Sequence, residues 1–138
     1  IAKGISRVFK KGGAIDTTQQ LRAVIEEALA FLPQCNRNDS IKKSCQRTFQ
    51  ALRIEVNSEM TVLSEFLEKL PCVMNSGGRI AILTFHSGED RLVKKAFKTQ
   101  LAEGVYSDVA RDVIRPTLEE CNQNPRARST KMRWAIKA

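Results

Sequence analysis

The chain has 138 residues, a formal charge of +8 and a hydrophobic fraction of 42%, which suits one domain, or one small domain with part of another. No apolar run approaches the roughly 20 residues that cross a bilayer as a helix, and no signal peptide is expected at the front. The basic balance points to a polyanionic partner, with nucleic acid first.

The four cysteines, Cys35, Cys45, Cys72 and Cys121, form no CxxC pair, and the single histidine, His86, stands at no ligand-like spacing from them. No metal site is expected, and the thiols read as reduced, in an intracellular compartment. The first residue is Ile1, not Met. That is expected of a fragment, a processed protein, or a stretch from inside a longer chain.

In chain order, residues 1–11 read as the end of a basic amphipathic helix with Ile5, Val8 and Phe9 on one face, stopped by "KGGA". In "DTTQQLRAVIEEALAFLP" Asp16, Thr17 or Thr18 can N-cap, Gln20 lies three residues after Thr17 as in a capping box, and apolar residues stand at helical spacing from Leu21 to Leu32. Pro33 should end that helix. "QCNRNDSIKKSCQ" lacks periodicity and reads as an exposed basic loop. "RTFQALRIEVNSEMTVLSEFLEKLP" is the longest periodic segment, with Phe49, Leu52, Val56, Met60, Leu63, Leu67 and Leu70 as a core stripe closed by Pro71.

The character changes after Cys72. "RIAILTF" reads as a buried strand of the parallel-sheet kind, and "GEDRLVKKAFKTQL" as a helix with acids at its start. Residues 104–116 suit a short helix or a strand. "TLEECNQNPRARS" reads as a loop with a short acidic turn. "TKMRWAIKA" alternates and fits a final strand, with Met132, Trp134 and Ile136 on one face and Arg133 and Lys137 on the other. The chain therefore divides into a helical part, 1–71, and an α/β part, 72–138.

Two constellations carry candidate chemistry. The first is the corner "TFHSGEDR", at the carboxyl end of the expected strand, where ligands gather in open α/β sheets. His86 there suits proton transfer or substrate hydrogen bonding, and equally suits a neutral ring that caps the turn. The second is "NPRARSTKMRW". It places Arg126, Arg128, Lys131 and Arg133 within eight residues with no acid, a pattern for phosphate contact or for a charged edge strand. Gly77 and Gly78 precede the strand and do not frame a phosphate loop. No dinucleotide, ATP or S-adenosylmethionine fingerprint is present.

Three strings, "RTFQALRIEVNSEM", "GGRIAILTFHSGEDRLVKKAF" and "NPRARSTKMRWA", resemble the bacterial-type 16S rRNA cytosine-N4 methyltransferase family, in that order and near the right separation. "IAKGISR" and "DTTQQLRAVIEEAL" are similar to that family's helical insertion. The departures are Gly88, where the family usually has Leu, Trp134 in place of a smaller aliphatic residue, and "SCQRTFQ" in place of a His-Pro-Ala-Thr approach.

The resemblance implies a partial α/β fold: a helical insertion domain, then the C-terminal strands and helix of a Rossmann-like class I methyltransferase sheet. It implies S-adenosylmethionine as cofactor, with its main binding loop outside this chain. It also implies a cytosine N4 amine of small-subunit rRNA as the acceptor. His86 and Asp90 would shape the target-base pocket, while Arg47, Arg53, Arg126, Arg128, Lys131 and Arg133 would bind RNA. Alone, the chain would be inactive, and it would pair with itself or with the missing N-terminal part. Location would be the cytoplasm in a bacterium, or mitochondrion or plastid in a eukaryote. The alternative is a non-catalytic RNA-binding or ribosome-associated module derived from that family.

Overall fold

The computed structural model describes residues 1–138, in two compact units, Ile1–Asn57 and Ser58–Ala138. The first is helical: α1 (Ala2–Lys10), α2 (Thr18–Ala28) and α3 (Gln34–Val56). The expected capping box opens α2. Thr17 Oγ1 accepts from the Gln20 amide at 3.2 Å, and Gln20 Oε1 accepts back from the Thr17 amide at 3.0 Å. Leu21, Ile25 and Ile41 are buried between α2 and α3. Of the expected α1 face, Ile5 and Val8 are half-buried, whereas Phe9 is exposed.

Two expectations for this unit are overturned. Residues 34–46 are helix, not loop, and Pro33 stands at the N-cap of α3 instead of closing α2. The inward face of α3 is Ile41, Ser44, Cys45, Thr48 and Phe49. Its spacing is helical, but small polar residues supply much of it, so hydrophobic periodicity does not register. Arg37, within the segment expected to be an exposed loop, donates to the Ala30 and Leu32 carbonyls, both at 2.7 Å, and so braces the α2–α3 turn.

The long stripe after Phe49 is also not one helix. Ser58 takes a left-handed conformation (φ 51°) and separates α3 from α4 (Glu59–Lys69). The stripe is interrupted with it: Leu52 and Val56 are exposed, while Leu67 and Leu70 are buried. Because α4 packs on the later helix α5, the compact second unit starts at Ser58, not near residue 72 as the composition suggested.

In the second unit a 3₁₀ turn (Leu70–Val73) follows α4. Then come β1 (Arg79–Thr84), α5 (Ser87–Ala102), β2 (Tyr106–Val109), α6 (Leu118–Gln123), a second 3₁₀ turn (Pro125–Ser129) and β3 (Lys131–Lys137). The turn into β1 needs its glycines. Gly77 has φ +73°, and a Cβ on Gly78 would lie 2.8 Å from the Asn75 carbonyl oxygen. The sheet order is β1-β3-β2, with β3 antiparallel to both neighbours. β1 and β2 therefore run in the same direction, linked by α5, as in a βαβ unit with a third strand inserted.

β1 is thus not a strand buried among parallel partners. It hydrogen-bonds antiparallel β3, and its burial alternates along the strand. Within residues 104–116 it is the strand alternative that forms, as the short β2 (Tyr106–Val109) and an isolated bridge from Ile114 to Met132. The core is Leu67, Val93, Phe97, Tyr106 and Ala135. Phe97 and Tyr106 meet edge to face, with centroids 5.5 Å apart. The alternation of β3 is as expected but its burial is inverted. Arg133 and Ala135 face α5 and are buried, while Met132, Trp134 and Ile136 are half-buried.

Candidate functional site

The corner joining β1 to α5 is built by its own sequence. Thr84, the last residue of β1, is buried, and its hydroxyl donates to the Lys131 carbonyl at 3.3 Å. Phe85 then points outward and is 56% exposed. His86 is the N-cap of α5. Its Nδ1 accepts from the Gly88 and Glu89 amides at 3.1 and 3.3 Å. Glu89 completes a reciprocal box: its Oε2 accepts from the Phe85 and His86 amides at 2.9 and 3.3 Å. Two backbone donors at the helix start are satisfied by the ring and two more by the carboxylate.

That cap determines the tautomer. A ring nitrogen that accepts two amide protons carries none, so the neutral imidazole holds its proton on Nε2. Nε2 lies 3.3 Å from Glu89 Oε1, close enough for an ion pair if the ring is protonated. The approach is off-line, so the buried Nε2 has no hydrogen bond. Glu59, His86 and Glu89 bring candidate ligand atoms within 4.8 Å of one another. The tautomer argues against a cation there, since Nε2–H offers no lone pair and Nδ1 is already occupied.

One turn further, Asp90 reaches across to β3. Its Oδ1 accepts from Arg133 Nε at 2.7 Å, and its Oδ2 lies 3.5 Å from Lys131 Nζ. The Arg133 hydrogen bond, with the charges of Arg133 and Lys131, holds the Asp90 carboxyl below its ordinary range, against a smaller opposing effect of burial. An acid held ionised in this way is a weak proton acceptor and a firm anchor.

The structure therefore brings His86, Asp90, Lys131 and Arg133 to one corner and reassigns two of them. Arg133 is 6% exposed and committed to Asp90. Lys131 shares that carboxylate. Neither presents a free cation to RNA, because β3 turns both toward α5. Arg126 and Arg128 are exposed on the 3₁₀ turn, which the Asn124 side chain caps by accepting from the Arg126 amide at 3.2 Å. Arg47 and Arg53 are exposed on α3 of the first unit. The residue that sequence reasoning missed is Glu89. Its signal was present: a glutamate three residues after a side chain able to cap, at the start of an apolar helix.

The sequence matches the MraW methylase family over residues 1–138, the whole chain. The chain belongs to the MraW methylase family. Curated relatives agree. The chain is 63% identical over 138 residues to "Ribosomal RNA small subunit methyltransferase H 1" of Lachnoclostridium phytofermentans, covering all of this chain and 38% of the relative. It is 61% identical over 138 residues to the protein of the same description in Agathobacter rectalis, again covering this whole chain and 40% of the relative. It is 44% identical over 134 residues to "Ribosomal RNA small subunit methyltransferase H" of Fervidobacterium nodosum, with 97% of this chain and 43% of that relative covered. The chain thus spans about two fifths of the length of these relatives. The family resemblance read from the three strings is confirmed at the level of the family.

Proposed function

We propose that residues 1–138 are the C-terminal part of an S-adenosylmethionine-dependent rRNA methyltransferase, acting on the N4 amine of a cytosine in small-subunit rRNA. The observation that carries this reading is the family match along the whole chain, with relatives described as small-subunit rRNA methyltransferases. Further support comes from the β1–α5–β2 crossover, the unit from which Rossmann-like sheets are built. In this reading the first unit is the helical insertion, and the partner is the small ribosomal subunit in a bacterial cytoplasm. The remaining sheet comes from the rest of a longer chain, or an edge pairs with a second copy. No helix is long and apolar enough to cross a membrane.

The residues present do not fit the cofactor. Gly77 and Gly78 lie ahead of β1. At the carboxyl end of β1 the space beside Gly88 is taken by the His86 ring, 3.1 Å from where a Cβ would stand. No glycine cradle follows a strand. The cofactor is therefore assigned to sequence outside these residues. His86 and Asp90 shape the target-base pocket as positioning residues: His86 caps α5, and Asp90 ties α5 to β3. Arg126 and Arg128, exposed on their turn, contact RNA phosphates.

The test uses the full-length protein with labelled S-adenosylmethionine and small subunits lacking the modification, followed by nucleoside mass spectrometry. The expected product is N4-methylcytosine in small-subunit rRNA, and none from the 138-residue chain alone. A methyl group on another base, or no transfer, overturns the reading. Binding of subunits without any transfer is the outcome for a non-catalytic module.

A further inference from the structure

We infer that the outer face of α5 is an RNA-backbone contact strip, formed by Arg91, Lys94, Lys95 and Lys98. This rests on the rRNA reading above and adds a surface to it. The four cations stand at i, i+3, i+4 and i+7, so they share one face of the helix, and all four are exposed. The opposite face, with Val93 and Phe97, is buried in the core. No acid occurs from Arg91 to Ala102.

An exposed basic helix face is usually only a solvated one, and two other helices of this chain pair a cation with an acid one turn away. On α2 Arg22 pairs with Glu26 at 2.7 Å, and on α4 Lys69 pairs with Glu65 at 3.4 Å. On α5 the two acids are spent at the start. Glu89 caps the helix and Asp90 holds Lys131 and Arg133. The four later cations enter none of the ion pairs of the second unit. Like charges at these spacings repel, so the helix carries a cost that a bound polyanion would relieve.

Position extends the strip. Lys131 pairs with Thr84 in the sheet, so the 3₁₀ turn just before β3, with exposed Arg126 and Arg128, lies at the same end of the sheet as the start of α5. The cations continue along α5 from that end for roughly 10 Å, at 1.5 Å per residue. A line of flexible cations without an aromatic among them suits repeated phosphates and reads no bases.

The experiment measures binding of a small-subunit rRNA fragment by the full-length protein across a salt series. The variant carries Arg91→Gln, Lys94→Gln and Lys98→Gln. Lys95 is left intact because it shares a surface groove with Glu68 and Glu103. A slope of log affinity against log salt that falls by about 2, with affinity about tenfold weaker at low salt, supports the strip. Wild-type slope in the charge-keeping variant (Arg91→Lys, Lys94→Arg, Lys98→Arg) supports it further. An unchanged slope and affinity in the Gln variant, at an unchanged unfolding midpoint, overturns the strip. If the wild-type protein still methylates rRNA in that case, the functional reading survives. If the wild-type protein binds no RNA at all, both fail.

Discussion

Arg133 Nε donates to Asp90 Oδ1 at 2.7 Å, a contact made across 43 residues of sequence. The Arg133 side chain is 8% exposed and that of Asp90 15%. The pair stitches the last strand to the first turn of α5, directly behind the His86 cap. Removing one partner strands a nearly buried charge. Asp90→Asn is expected to lower stability by about 2–3 kcal/mol, measured by urea unfolding. The double variant Asp90→Leu, Arg133→Met is expected to recover most of that, since an apolar pair of similar volume leaves no charge unpaired. Equal losses in the single and double variants would show that the pair is not what matters.

The same pair sets an acid response. The Asp90 pKa is depressed in the folded chain, chiefly by the Arg133 hydrogen bond. The folded state therefore binds this proton less readily than the unfolded state. The contribution is complete above the ordinary carboxylate range near pH 4 and is lost as pH falls through the folded value. Stability against pH should fall less steeply on the acid side in Asp90→Asn than in wild type. Parallel curves would show that Asp90 does not contribute.

His86 can be dissected because its two nitrogens differ in role. His86→Ala removes the cap and is expected to cost about 1 kcal/mol. His86→Asn restores an acceptor for the α5 amides but not the Nε2–H, so it should recover most of that stability. If His86 only positions the corner, the full-length Asn variant keeps methyl transfer while the Ala variant raises KM. A collapse of kcat in His86→Asn at wild-type stability would instead mean that the ring itself touches the reacting groups.

Tyr106 is buried, and its hydroxyl has no hydrogen-bond partner. Burial raises its pKa. A raised phenol pKa gives stability that is present below the unfolded value and lost as pH rises through the folded one. Tyr106→Phe keeps the edge-to-face packing on Phe97 and discards an unsatisfied donor. It should stabilise by about 1 kcal/mol and soften the alkaline decline. A destabilised Phe variant would show that the hydroxyl has a partner in the folded chain.

Much of the local structure was legible in advance. The Thr17–Gln20 box, the β1–corner–α5 succession and the final strand rest on neighbouring residues, and pattern reads such signals well. Residues 34–46 show no apolar period, because their inward face is Arg37, Ser40, Ile41, Ser44 and Cys45, mostly polar or small side chains that hide a helix. The long periodic stripe gives no sign of its break, because nothing in residue type announces the left-handed turn at Ser58.

The sequence by itself determined the family, the corner and the position of its histidine, because motif strings and caps are set over a few residues. Only the tertiary structure decided what those groups do. β3 pairs antiparallel with β1 in the register that sets Lys131 against Thr84, and that register turns Arg133 inward to Asp90. Cations that looked ready for RNA became the anchor of α5, because strand pairing, not composition, chooses which face of a strand meets the core.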